Sequence, residues 1–252
     1  DWRRLDITLS PARLEDFNAA ISEALRSSYD QYPLFVLKDP RICRFVPFYQ
    51  AIFTRAAITP FYVLPYRNPV EVARSLESRD GMPIRYGQLL WARHVLDAEL
   101  ATRGERRAFS TYDSLLDDPA SCIEEIGAEL GITWPRPPRT AEKAMSDFLN
   151  PDHRNFRTEA TAAPGHGAIE AFAREIHHNL QRLKHRPDDR AAMAKLDRLR
   201  IKLDNPCDEF RNAAPAQFAV ELTATSGTSH FQGRIFAEVR NWARQIIRRI
   251  KV

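Results

Sequence analysis

The 252 residues carry 37 Lys and Arg against 33 Asp and Glu, and 44% of the side chains are hydrophobic. Such a chain is long enough to bury a core, and its net charge of +4 is too mild to imply nucleic-acid binding by the chain as a whole. No apolar run approaches the ~18 uncharged residues of a membrane span, the N-terminus lacks the basic-then-apolar layout of a secretory signal, and the three widely spaced cysteines fit neither a disulfide framework nor a CxxC metal site. A reducing cytoplasm is therefore the expected setting. The first residue is Asp1 and the earliest Met is Met82, as in a chain processed or cut from a longer one.

In chain order, Leu34–Leu37 reads as a buried strand and Phe61–Leu64 as a second. Between them, Ile42–Ala57 repeats its apolar residues at helical spacing, and Val70–Arg79 does so again, with Pro69 suited to a first helical turn. Ile84–Thr102 is a third helix ended by Gly104. A short strand, Arg107–Tyr112, precedes a fourth helix, Pro119–Leu130, which Gly131 closes in a C′ position. This alternation predicts an α/β fold with a mostly parallel sheet and flanking helices over residues 1–165, followed by a helical part over 166–252. In such sheets, ligands collect where strands hand over to helices at their carboxyl ends.

Beyond a proline-rich crossing at 134–139 and a small, polar stretch at 158–167, Ala168–Lys184 and Asp188–Leu203 read as a helical hairpin or packing arm. Pro206–Gly233 reads as loop. In the closing segment, 231–252, Phe231, Ile235, Val239, Trp242, Ile246 and Ile250 draw an apolar stripe beside Arg234, Arg240, Arg244, Arg248, Arg249 and Lys251. A basic amphipathic helix of this kind can lie on an anionic membrane or dock on a partner, and its commoner fate is to pack on its own domain.

Two strand ends could carry chemistry. The second strand delivers Arg67 at its carboxyl end, Asn68-Pro69 opens the helix, and Ser75 follows eight residues after the arginine. A guanidinium fork and a hydroxyl from the adjoining helix suit a phosphate, although Arg67 could equally cap the sheet and Ser75 be an ordinary helical serine. The first strand ends in Lys38-Asp39-Pro40-Arg41, with Arg44 beyond. Its cations could hold an anion while Asp39 accepts a proton, or the group could be an ion-pair network that stiffens the turn.

Taken together, Lys-Asp-Pro-Arg after one strand, a helix, and a strand ending Arg-Asn-Pro with Ser eight positions after Arg resemble the sulfotransferases that use 3′-phosphoadenosine-5′-phosphosulfate (PAPS), most of all their bacterial branch. Tyr112–Pro119 is similar to the family's Tyr-x-x-Leu-x-x-x-Pro segment, and the match covers about residues 34–158. The resemblance implies a P-loop-like sulfotransferase fold and PAPS as co-substrate. Arg67 and Ser75 match the ligands of its 3′-phosphate, and Tyr112 matches the tyrosine that meets the adenine. Lys38 falls where the family places a lysine near the bridging oxygen or the sulfuryl group. Well-known family members carry a His two residues after that lysine. Here Pro40 stands there, and Asp39 is the substitute base, with Arg41 beside it.

None of His94, His153, His166, His177, His178, His185 or His230 lies in these motifs; His153, with Arg154 and Arg157, could swing toward the site. The family's phosphosulfate loop has no counterpart before residue 34, nor does any other nucleotide loop, so the implied fold is N-terminally incomplete and the loop is expected upstream of Asp1. Sulfuryl transfer in this scheme needs no metal, and the acceptor would be a carbohydrate, lipid or small molecule bearing a hydroxyl or amine. Arg85, Tyr86 and Trp91 are candidate acceptor-side contacts or core. The alternative to an enzyme is a non-catalytic interaction or membrane-surface module built on a vestigial nucleotide-binding fold. A kinase would need a Lys-bearing phosphate loop and Mg²⁺ ligands, and the sequence offers neither.

Overall fold

The computed structural model describes residues 2–3, 10–149 and 167–213. Within these the chain forms two compact units. The smaller comprises residues 10–42 and 47–59, and the larger takes in 2–3, 43–46, 60–149 and 167–213.

In the smaller unit, α1 (Pro11–Tyr29) starts after Ser10 with Pro at its first position, where a missing N–H costs nothing. It buries Ile21 and Leu25. Most of α2 (Val46–Arg55), which follows a 3₁₀ turn at Ile42–Arg44, also lies here and buries Ile52 and Phe53. The Phe17 and Phe48 rings meet edge-on at 6.2 Å.

Leu34–Leu37 is not a strand. Phe35 stacks on Tyr29 with ring centroids 4.3 Å apart, while Val36 is 75% exposed. An apolar run becomes a strand only where a neighbouring backbone completes its ladder, and no described residue does so.

The larger unit is built on β1 (Tyr62–Tyr66), α3 (Pro69–Asp80), α4 (Ile84–Ala101), β2 (Arg107–Thr111), α5 (Tyr112–Asp117) and α6 (Pro119–Leu130). After a second 3₁₀ turn at Pro138–Ala141 come α7 (Glu142–Phe148), the hairpin α8 (Ala168–His185) and α9 (Arg190–Asp204), and the short α10 (Asp208–Arg211). The described chain is thus mostly helical, and its sheet is small: β1 pairs with β2 in parallel, from Tyr62 opposite Arg107 to Tyr66 opposite Thr111. Among the described residues the expected parallel sheet holds two strands, since Leu34–Leu37 does not form one.

The ends of these helices follow local chemistry. Asn68 accepts the Val70 N–H at 2.9 Å to cap α3, Thr111 caps α5 through the Ser114 N–H at 3.0 Å, and Asp118 caps α6 through the Ser121 N–H at 3.0 Å. Gly131 ends α6 at φ +65, a left-handed conformation in which any Cβ would be strained and would also press on the Arg106 guanidinium. Where α3 and α4 cross, Gly87 lies against Ala73, so close that an added Cβ would sit 3.1 Å from the Ala73 Cα.

One core unites residues from both sides of the expected boundary at 165. Leu64 and Phe109 of the sheet and Leu89 and Leu96 of α4 belong to the same cluster as Ile176 of α8 and Leu196 of α9. Arg93 is its charged pivot: 1% exposed, it donates to the Trp2 carbonyl (2.7 Å), Asp97 (3.2 Å) and Asp204 (2.6 Å). Burying a guanidinium is tolerable only when its donors are satisfied in this way. Glu99 does the converse, binding Arg103 and Arg107 and so tying the end of α4 to the start of β2. No helix among the described residues is long and apolar enough to cross a membrane. The basic stripe of 231–252 lies outside the described residues.

Candidate functional site

The register of the sheet places Tyr66 opposite Thr111, so the next residue on each strand, Arg67 and Tyr112, leaves the carboxyl edge side by side. The Arg67 guanidinium carbon lies 4.4 Å from the centre of the Tyr112 ring. A guanidinium is weakly hydrated and stacks on a π face at little desolvation cost, so the two side chains order one another. Arg67 Nε also donates to Glu71 Oε2 at 2.8 Å. Glu71 occupies the first turn of α3, where a carboxylate gains from the helix dipole, and is only 3% exposed on its side chain. Ser75 is half-buried one turn further along α3, so Glu71 stands between the two residues read as phosphate ligands.

Other groups converge on this edge. Lys184, from the last turn of α8, donates to Ser114 Oγ at 3.0 Å, and that hydroxyl lies 2.5 Å from Thr111 Oγ1. His177, two turns earlier on α8, meets Tyr66 edge-on at 5.7 Å between ring centroids and Trp91 at 6.3 Å. Burial pushes the His177 imidazole below its ordinary range, against the pull of Asp113 and Glu71 in the other direction. Burial also pushes the Tyr66 phenol up to about 12, and its hydroxyl has no hydrogen-bond partner among the described residues.

The second group of expected site residues belongs to the smaller unit. Lys38 is exposed. Asp39 Oδ1 accepts the Arg41 backbone N–H at 2.7 Å and its Nε at 3.1 Å, while Oδ2 accepts Nη2 at 3.2 Å. Its carbonyl closes the turn onto the Ile42 N–H at 3.1 Å. These bonds describe the stiffened turn that the sequence offered as the alternative to a proton acceptor. The buried Tyr49 phenol is pushed upward by desolvation and by Asp39.

Of the other candidates, Tyr86 and Trp91 are buried in the core, and Arg85 pairs with Glu209 at the surface, 2.8 Å apart. His153, Arg154 and Arg157 lie outside the described residues. Among the described residues, no cluster of His, Cys, Asp and Glu could hold a metal ion. Sequence reasoning missed Glu71 and His177. Glu71 carried a signal, its position four residues after Arg67; His177 carried none, because only tertiary packing brings α8 to the sheet edge. In comparisons with known proteins, the chain matches no family model, no curated protein and no solved structure.

Proposed function

We propose that this chain is the core of a sulfotransferase that moves a sulfuryl group from PAPS to a hydroxyl or amine acceptor. The observation that carries the reading is the meeting of Arg67 and Tyr112 at the carboxyl edge of two parallel strands. The sequence motifs assign these residues to the same nucleotide, Arg67 to the 3′-phosphate and Tyr112 to the adenine. Their positions also accord with the general rule that α/β ligands collect at strand carboxyl ends.

In this reading, Arg67 supplies charge-assisted donors to the 3′-phosphate, and Ser75 adds a hydroxyl from α3. Because Arg67 covers one face of Tyr112, the adenine takes the ring's other face or its edge. The acceptor oxygen or nitrogen attacks sulfur, the bond from sulfur to the bridging phosphate oxygen breaks, and 3′,5′-bisphosphoadenosine leaves with the electron pair. The sequence resemblance assigns Lys38 to charge on that leaving group and leaves Asp39 as the substitute base, a role in which the Arg41 fork on its carboxylate would have to open.

A non-catalytic module is the second reading. It is favoured by the same engaged carboxylates, Asp39 on Arg41 and Glu71 on Arg67, which leave both corners already compensated. Calorimetric titration of the full chain with 3′,5′-bisphosphoadenosine separates the two. Binding that weakens by about 10- to 100-fold in Arg67→Ala, the loss of a charged hydrogen-bond fork, supports the sulfotransferase. Unchanged affinity in that variant, or no binding by the native chain, removes the cofactor assignment.

A further inference from the structure

An anion approaching Arg67 meets Glu71 already there, 2.8 Å from Nε and almost without water. Two anions on one desolvated guanidinium repel strongly, so the carboxylate must be displaced or its charge compensated. The groups around His177 offer the compensation. Helix α3 packs against α8, and Tyr66, the residue before Arg67, presents its ring to His177, with Trp91 on another side; Asp113 from α5 and Glu71 from α3 favour a charged imidazole there, and the neighbouring His178 opposes it. The Tyr66 phenol stays neutral near pH 7, whereas an imidazole changes charge in that range.

We propose that Arg67, Glu71 and His177 form a proton-linked anion seat: a phosphate or sulfate group docking on Arg67 displaces the Glu71 carboxylate toward His177, and the imidazole takes up a proton from water. The seat rests on the reading of Arg67 as the ligand of the nucleotide's 3′-phosphate and adds to it a titrating partner. No covalent bond changes; the site trades the Arg67–Glu71 pair for an Arg67–anion pair and a His177–Glu71 pair. Each anion bound then carries up to one proton with it. Affinity rises as pH falls, by up to ~10-fold per pH unit between the imidazole pKa of the free and loaded states, and levels off outside that window.

Calorimetry of the full chain with 3′,5′-bisphosphoadenosine, and separately with inorganic phosphate, in buffers of different ionisation enthalpy counts the protons exchanged. Subtracting the result for His177→Gln cancels the ligand's own titration. Native protein should take up more protons than His177→Gln near neutral pH, and Glu71→Gln should take up no more than His177→Gln does. Equal proton uptake by native protein and His177→Gln, with both binding, overturns the seat and leaves the nucleotide reading standing. No binding of either anion by native protein overturns both. Should His177→Gln fail to fold, the His177 imidazole resonance of native protein decides: an upward shift of its titration when bisphosphoadenosine is added supports the seat, and an unmoved titration overturns it.

Discussion

Two arginine–carboxylate pairs, drawn from similar sequence corners, end in opposite circumstances. Arg41 and Asp39 form a fork at a surface turn, with the Arg41 side chain 54% exposed. Arg67 and Glu71 form their contact at the sheet's edge, where the guanidinium is 18% exposed and packed against Tyr112. The bond lengths are alike, so solvent makes the difference. Water reaches the guanidinium of the first pair, although its Asp39 carboxylate is only 12% exposed, while both partners of the second are shielded from it.

The comparison is sharpest at its extreme, Arg93, whose three partners are all inside the larger unit. Arg93→Met leaves the Trp2 carbonyl unmet and takes one of two arginine partners from each of Asp97 and Asp204, which keep Arg44 and Arg200, and should lower stability by ~3 kcal/mol, read from the urea midpoint. Glu71→Gln should cost ~1–3 kcal/mol by leaving the Arg67 charge poorly matched. Asp39→Asn should cost less, ~1 kcal/mol by the same measurement, because water reaches its Arg41 partner. Equal losses at the two positions would break the contrast. Gly131→Ala, strained at φ +65, should cost ~1–2 kcal/mol in thermal unfolding, and less than that would mean the end of α6 relaxes.

The smallest expected effect is on pH dependence. His177 is depressed in the folded state, so the unfolded chain binds the extra proton. Its contribution is fully present above the ordinary imidazole pKa of ~6.5 and is lost as pH falls from there through the lower folded value. His94, also lowered by burial, adds to the same window. The stability curve of His177→Gln should therefore flatten on the acid side relative to native protein, and an unchanged slope would place the imidazole in water.

How much of this was legible in the sequence follows the range of each signal. Helix α6 was read with its observed ends, Pro119 to Leu130, since its Pro and Gly punctuation is local. Helix α1 was missed although Ser10-Pro11 and the spacing of Leu14, Phe17, Ile21 and Leu25 announce it. Leu34–Leu37 misled because hydrophobic β-type residues say nothing about whether a partner strand is present. At the site, Arg67 and Tyr112 were each read at the carboxyl end of a strand, and the parallel pairing of those two strands brings them to one edge. Nothing in the sequence anticipated that α8 would deliver His177 beside them, or that the hairpin would join the sheet's own core.

The contact of Gly87 with Ala73 carries a consequence for tuning from a distance. Helix α3 bears Glu71 and Ser75 on the same rigid rod as Ala73, and the bare Cα of Gly87 is what lets that rod lie flush on α4. A methyl group introduced at Gly87 would lever α3 away by a few tenths of an ångström while touching nothing at the sheet edge. The placement of Glu71 and Ser75 against the sheet edge would thus be retuned, by selection or by engineering, without altering a single side chain there.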